Sequence, residues 1–270
     1  MKHRSKLLKL SVFLCIIFLC GIFFFIAHFH KESQNNRHTS TRQPVVTSTI
    51  PGSPSPEVTS TPSEVIYSFS QGPKAWKTQK AWSGSWANVS IDGNVFGNFG
   101  CGFCCMANIY STLTPYVCSP LDIYRCAKKH APYYPTPGIG AIDWNAMQQT
   151  LEYCGFSCAL KNKTLDYEEF QKAVADSKAT LILVSSSYSD RFWKNTSGHY
   201  VTLWNYNENK DTVFLTDPGD PKRNRRTIAL QTAYDALKMT SLYQYMLITD
   251  YNENQNQWCW NEISEDWIAP

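Results

Sequence analysis

Charge of either sign is scarce. Only 17% of the 270 residues are Asp, Glu, Lys or Arg, and 25 basic against 22 acidic side chains leave a formal +3. Binding to nucleic acid needs a basic face that displaces counterions from phosphates. The one concentrated candidate, Lys222-Arg223-Asn224-Arg225-Arg226, reads as a solvated loop, so no nucleic-acid partner is expected. Metal-ligand spacing is also missing. Cys101-x-x-Cys104 has Cys105, Cys118, Cys126 and His130 nearby, but no second Cys-x-x-Cys or His-x-x-x-His pair completes four ligands. Neither a metal nor another cofactor is expected. No internal repeat is visible, which excludes a solenoid or propeller.

Long apolar runs are absent except at the start. Lys2, His3, Arg4, Lys6 and Lys9 precede an almost unbroken apolar stretch, Leu10 to Phe29. About twenty such residues suffice to cross roughly 30 Å of hydrocarbon as a helix. A secretory signal core is shorter and ends at small residues. Ala27-His28-Phe29-His30 offers no such site, so residues 1–30 are read as an uncleaved signal anchor in preference to a cleaved signal. Cys20 follows Phe18-Leu19 rather than small residues, which argues against a lipid-modified cysteine. The basic cluster should remain in the cytoplasm. The expectation is a single-pass protein of the cell membrane whose C-terminal part is extracellular.

Residues 31–65 are rich in Ser, Thr and Pro, as in Pro51-Gly52-Ser53-Pro54-Ser55-Pro56, and have almost nothing to bury. Such a composition cannot offset the entropy of ordering and reads as a stalk-like linker. Residues 66–270, about 205 in number, are enough for one domain with its own core.

Ten cysteines are present, of which Cys15 and Cys20 fall in the apolar run. If Cys101 stays reduced, then Cys104, Cys105, Cys118, Cys126, Cys154, Cys158 and Cys259 remain, an odd set that cannot pair completely. Cys104 and Cys105 sit in an apolar helical run, where cysteine serves as a small hydrophobe.

Met106, Ile109, Tyr110 and Leu113 repeat at i, i+3, i+4 and i+7 and predict a helix over 102–115 with one buried face. Ser119-Pro120-Leu121-Asp122 is a helix start, and that helix is expected to end near His130. Pro135-Thr136-Pro137-Gly138-Ile139-Gly140 reads as a loop, and Asp143 as the cap of a helix stopping at Gly155. A further helix is expected over 166–176. Thereafter 180–184, 200–204, 212–216 and 243–249 read as strands. Helices first and antiparallel strands later predict an α+β domain of two layers. Trp258-Cys259-Trp260 and Trp267 are expected to pack across the back of the domain in preference to gripping sugar rings.

Gly100-Cys101-Gly102 puts a thiol at a helix start, Gly198-His199-Tyr200 puts an imidazole at the entry of a strand, and Asp217-Pro218 puts a carboxylate at the end of the next. These are the parts of a cysteine-nucleophile hydrolase. The thiolate is the nucleophile, and the first turn of a helix favours it with unpaired N–H groups and the positive end of the dipole.

The same residues resemble the C39-like peptidase family, which has the papain-like cysteine peptidase fold. The likeness runs from about Trp86 to Tyr251 and includes Thr216-Asp217-Pro218, the Ser119 helix start and the Gly138-Ile139-Gly140 loop. It implies that Cys101 is the nucleophile, His199 the general base and acid, and Asp217 the orienting carboxylate. Asp220 and Asn205 are the weaker candidates for that third place. It further implies a peptide or protein substrate cut after small residues such as glycine. Where the family has proline and threonine, this chain has Phe103 and Cys104. Where its transporter-linked branch has glutamine, this chain has Val95 and Phe96. Gln79, ahead of Trp86-Ala87, is the nearest match for the oxyanion-hole side chain, with Asn94 or Asn98 as substitutes and the backbone N–H of Cys101 as a second donor. The triad alone also fits an acyltransferase or a cell-wall amidase. A non-catalytic surface binding module is the reading in which Cys101 is inert. The acceptor patterns at Asn88, Asn162 and Asn195 are expected to be unmodified, as on a bacterial surface.

Overall fold

The computed structural model describes residues 65–135, 140–186 and 192–270. The expected anchor, the linker up to residue 64 and loop residues 136–139 lie outside them. Among the described residues no helix is long and apolar enough to cross a membrane.

A lead-in of aromatics precedes the first long helix. It holds α1 (Pro73–Lys77), a 3-10 turn (Ser85–Asn88), a minimal hairpin of β1 (Ser90–Ile91) and β2 (Asn94–Val95), and α2 (Phe96–Phe99). Packing, not propensity, orders it. Phe69 meets Trp82, Trp86 and Trp267 edge-on at 6.0, 5.4 and 5.7 Å between ring centroids, the arrangement that aromatic quadrupoles favour.

Helix α3 (Cys101–Leu113) starts one residue earlier than its periodicity predicts. It is also buried on every side from Cys101 to Thr112, not on one face. The physical reason is its position: α4 (Pro120–His130), α5 (Trp144–Tyr153) and the sheet all pack on it. Helix α4 opens with a full capping box, Ser119 Oγ accepting from Asp122 N at 3.0 Å and Asp122 Oδ2 from Ser119 N at 2.8 Å. Asp143 caps α5 by accepting from Ala146 N at 3.0 Å. The helix stops at Gly155, whose φ of +87 is available without strain only to glycine.

The strands are β3 (Phe156–Lys161), β4 (Ala179–Val184), β5 (His199–Asn207), β6 (Thr212–Thr216), β7 (Arg226–Ala229) and β8 (Tyr245–Tyr251). They form one sheet in the order β3-β8-β4-β5-β6-β7, every pair antiparallel. The sequence pattern predicts the inner four but misses β3 and β7, which are the two edges. An edge strand has one partner and a partly exposed face, so its own pattern is weak.

The sheet has cover on both faces, so the domain has three layers rather than the expected two. Leu181, Leu183, Tyr200, Trp204, Met246 and Ile248 join the core of α3, α4 and α5. Ile182, Val184, Val201, Leu203, Val213 and Leu215 join Phe170 and Val174 of α6 (Tyr167–Ala175) and Leu230 and Ala233 of α7 (Leu230–Asp235). Strand β4 is buried at all six positions and needs a partner layer on each side. The fold class is thus mixed α+β, with helices followed by an antiparallel sheet.

Candidate active site

Cys101 is the first residue of α3, with Gly100 at the N-cap contributing no side chain that could compete for the first-turn N–H groups. His199 is the first residue of β5, and Asp217 follows the last residue of β6. The two strands are antiparallel neighbours with Thr202 opposite Thr216. The start of one and the end of the other therefore lie at the same edge of the sheet, where α3 begins. All three side chains are buried, Asp217 completely.

His199 Nε2 lies 2.7 Å from Asp217 Oδ1. That nitrogen is committed, so Nδ1 is the ring atom left to act on the Cys101 thiol, whose Sγ–H donates to Phe99 O at 4.0 Å. The ring is used in the opposite sense to the Ser-His-Asp template, where Nδ1 faces the acid.

The electrostatics follow from these contacts. Burial pushes the Cys101 thiol up, but the hydrogen bond and charge of His199, with the N–H groups of Tyr200 and Gly102, outweigh it and leave the thiol below its ordinary value. Burial alone would lower His199. The charge and hydrogen bond of Asp217, with the contribution of Cys101, raise it to about 10. Burial would raise Asp217, yet His199 and Arg223 hold its carboxyl well below the usual carboxylate range. All three shifts run in the direction that favours a thiolate–imidazolium pair backed by an ionised carboxylate.

Asp217 is held from four directions. Oδ1 accepts from His199 and from Gly219 N at 2.8 Å. Oδ2 accepts from Trp193 Nε1 at 3.0 Å and Arg223 Nε at 2.8 Å. Its own N–H donates to Asn224 Oδ1 at 3.0 Å, and Asn224 Nδ2 donates to Ser68 O at 2.8 Å. A carboxylate with its lone-pair directions filled by N–H donors can be buried as an anion. Gly219 is also a steric requirement, because a Cβ there would sit 2.8 Å from His199 Cε1 and 2.9 Å from Nε2.

Of the other acid candidates, Asp220 is paired with Arg223 at 3.1 Å, and Asn205 is an exposed residue with φ +49. Neither is hydrogen-bonded to the imidazole. Gln79 is exposed, and its Nε2 donates back to Trp76 O at 3.1 Å. Asn98 donates to Asn94 at 3.0 Å on the surface. The glutamine that the fold ties to the site is Gln71. Its backbone N–H donates to Pro218 O at 2.9 Å, and its Nε2 to Gly97 O at 2.9 Å. It is buried and joins the acid-bearing loop to the turn before the nucleophile helix.

Sequence reading missed Gln71, Trp193, Gly219 and Arg223. Arg223 hides inside a basic run read as a solvated loop, whereas Arg223 bonds Asp217 and Arg225 Nη1 donates to Ser68 Oγ at 2.9 Å. The only advance signal for Gln71 was its place ahead of the first tryptophan of the lead-in. Phe103, standing where the resemblance leads one to expect proline, fills an aromatic nest with Phe96, Phe99, Tyr124 and Tyr133. Cys104 and Cys105 are buried, and desolvation raises both thiols well above their ordinary value. They suit hydrophobic packing. No disulfide joins the described cysteines, and no group of three or more His, Cys, Asp or Glu among the described residues is arranged to hold a metal ion. No family model and no curated protein matches the chain.

Proposed function

We propose that this chain is a cysteine peptidase of papain-like architecture, similar to the C39-like peptidases, that hydrolyses peptide or amide bonds. In this reading residues 1–30 anchor it in the cell membrane, residues 31–65 act as a stalk, and the domain from 66 onward works outside the cell. The observation that carries the activity is the meeting, at one end of the sheet, of the Cys101 thiol at the start of α3, the His199 ring that lowers it, and a buried Asp217 2.7 Å from His199 Nε2.

The chemistry follows from those protonation states. The thiolate attacks the scissile carbonyl carbon, and negative charge develops on the carbonyl oxygen. The backbone N–H of Cys101 serves as one donor, and the second Nε2–H of Gln71, the first being given to Gly97 O, as the other. Imidazolium Nδ1–H then protonates the leaving nitrogen as the C–N bond breaks, giving a thioester and neutral His199. Water attacks the thioester and gives its proton to His199. The acid product departs and the thiolate–imidazolium pair is restored. Asp217 keeps its charge throughout and fixes which ring nitrogen faces sulfur.

Full-length protein in detergent should cleave members of a diverse peptide library, and Cys101→Ala or His199→Ala should abolish cleavage. Release from labelled wall fragments instead of peptides would make the enzyme an amidase, and acyl transfer to added amines an acyltransferase. If nothing turns over and Cys101 is alkylated no faster than Cys118, the domain is a binding module and the proposal fails.

A further inference from the structure

The tryptophans near the C-terminus do only part of what packing requires. Trp258 lies against Tyr110 of α3 at 5.0 Å between ring centroids. Trp260 is 36% exposed, unusual for so large an apolar ring. The two indoles are stacked, 6.0 Å apart and 13° from parallel. Residues two apart on an extended chain already share a face; here Cys259, at φ +42, departs from the extended path between them. A left-handed conformation at a non-glycine residue is costly and persists only where its surroundings fix it.

The surroundings do fix it. Asn256 Oδ1 accepts from Trp258 N at 2.9 Å and Cys259 N at 3.1 Å. Tyr110 OH donates to Trp260 O at 2.8 Å, and Trp260 Nε1 donates to Glu262 O at 2.8 Å. The indole N–H of Trp260 is therefore spent within the protein, and the ring offers its flat face. Trp258 covers one side of the pair, which leaves a one-sided platform.

That platform forms one wall of a cleft of about 330 Å³ whose other wall is α4, including Arg125, Lys129 and His130. The size is within the range of small-ligand sites, about 300–1,000 Å³. Its single acid, Asp122, is consumed internally by Arg125 at 2.8 Å, Ser119 N at 2.8 Å and Ser264 N at 3.2 Å. Arg125 is shared with Glu265 at 2.7 Å. Lys129 is exposed and makes no ion pair among the described residues. His130 is held flat on Tyr153, ring centroids 4.1 Å apart. The cleft thus combines a rigid apolar plane with one cation unpaired among the described residues, Lys129, and the imidazole of His130. From Cys101 to Tyr110 along α3 is about 13 Å at 1.5 Å per residue, so this is not the thiol's pocket.

The geometry points to a second binding site, in which Trp260 stacks on the apolar face of a sugar ring while Lys129 and His130 receive that sugar's carboxylate. The ligand class is an acidic saccharide. A cationic ligand would find no free carboxylate among the described lining residues, since Asp122 is consumed. A nucleic acid strand needs a basic track longer than this cleft, and the chain has none beside it. The site stands whether or not Cys101 is catalytic.

Full-length protein in detergent, titrated with trigalacturonic acid by calorimetry, should bind it at least tenfold more tightly than neutral maltotriose. Trp260→Ala should weaken binding of the acid at least tenfold with the circular dichroism spectrum retained, and Trp260→Phe, which keeps a flat ring, should keep part of the affinity. Lys129→Glu should weaken the acid at least fivefold without affecting maltotriose, and added salt should weaken the acid alone. Equal binding of both sugars, unchanged affinity in Trp260→Ala, no binding at all, or tighter binding of a dT oligonucleotide than of trigalacturonic acid would each overturn the assignment.

Discussion

Asp217→Asn keeps the shape of the acid and removes its charge. At Oδ1 the carboxylate meets His199 and Gly219 N, and at Oδ2 it meets Trp193 Nε1 and Arg223 Nε. The backbone amide, the indole and the guanidinium can only donate. Whichever way the new carboxamide is turned, its NH2 faces a donor, and about 1–3 kcal/mol is lost for each buried group left unpaired. The larger effect is on the ring. His199 titrates near 10 because burial is outweighed by Asp217. Without that charge it should fall to its ordinary 6.5 or below, a difference worth about 5 kcal/mol at roughly 1.4 kcal/mol per pH unit. The imidazolium then no longer supports the thiolate at neutral pH.

Alkylation of Cys101 by iodoacetamide, followed by mass spectrometry across pH 5 to 10, reads this without a known substrate. At pH 6 the wild-type Cys101 should react faster than a free thiol, with Cys104, Cys105, Cys118 and Cys154 unlabelled because burial raises their thiols. Asp217→Asn should react on the order of 10²-fold more slowly there and recover only near the pKa of a free thiol. Stability carries the same signature. The folded value of His199 lies above the unfolded one, so its stabilisation is complete below about pH 6.5 and disappears as pH rises toward 10. Asp217, lowered by folding, adds stability above about pH 4 that is lost on acidification. Cys101, lowered by folding, has the opposite slope below its ordinary value of 9.0, so the extra loss in the wild type should fall between about pH 9 and 10. An unchanged alkylation profile in a folded Asp217→Asn protein would refute the reasoning.

Three further outcomes follow from the same contacts. Arg223→Met removes one of the two cations on Asp217 and should lower stability by about 2 kcal/mol, roughly 4–8 °C in Tm. It should also move the alkaline limb of Cys101 reactivity upward, because Asp217 then serves the imidazolium alone; thermal shift and alkylation kinetics check the two parts. Gly219→Ala drives a methyl into the His199 ring, so peptide hydrolysis should fall more than tenfold with secondary structure intact by circular dichroism. Gln71→Ala should reduce kcat by about 10²–10³ if its amide meets the oxyanion, whereas Gln79→Ala should leave kcat unchanged. The reverse order in steady-state assays would restore Gln79 to the role.

The sequence by itself determined whatever is local. The caps at Ser119 and Asp143 were legible because a side-chain oxygen and an N–H three residues on satisfy each other within one turn. The inner strands were legible because their β-branched and aromatic residues fill a buried sheet. Cys101, His199 and Asp217 could be named because each sits at an element boundary that leaves a local mark.

Tertiary structure alone decided what comes from distant segments. The edge strands β3 and β7 take their hydrogen bonds from β8 and β6. Arg223, within a run of like charges, acquires its role only where the fold delivers a buried anion beside it. Gln71 matters because a loop 147 residues away, at Pro218, comes to its backbone. The second layer of helices could not be counted from one strand's burial. Short-range geometry is written in neighbouring residues, whereas the partner of a buried charge is chosen by which chain segment arrives there.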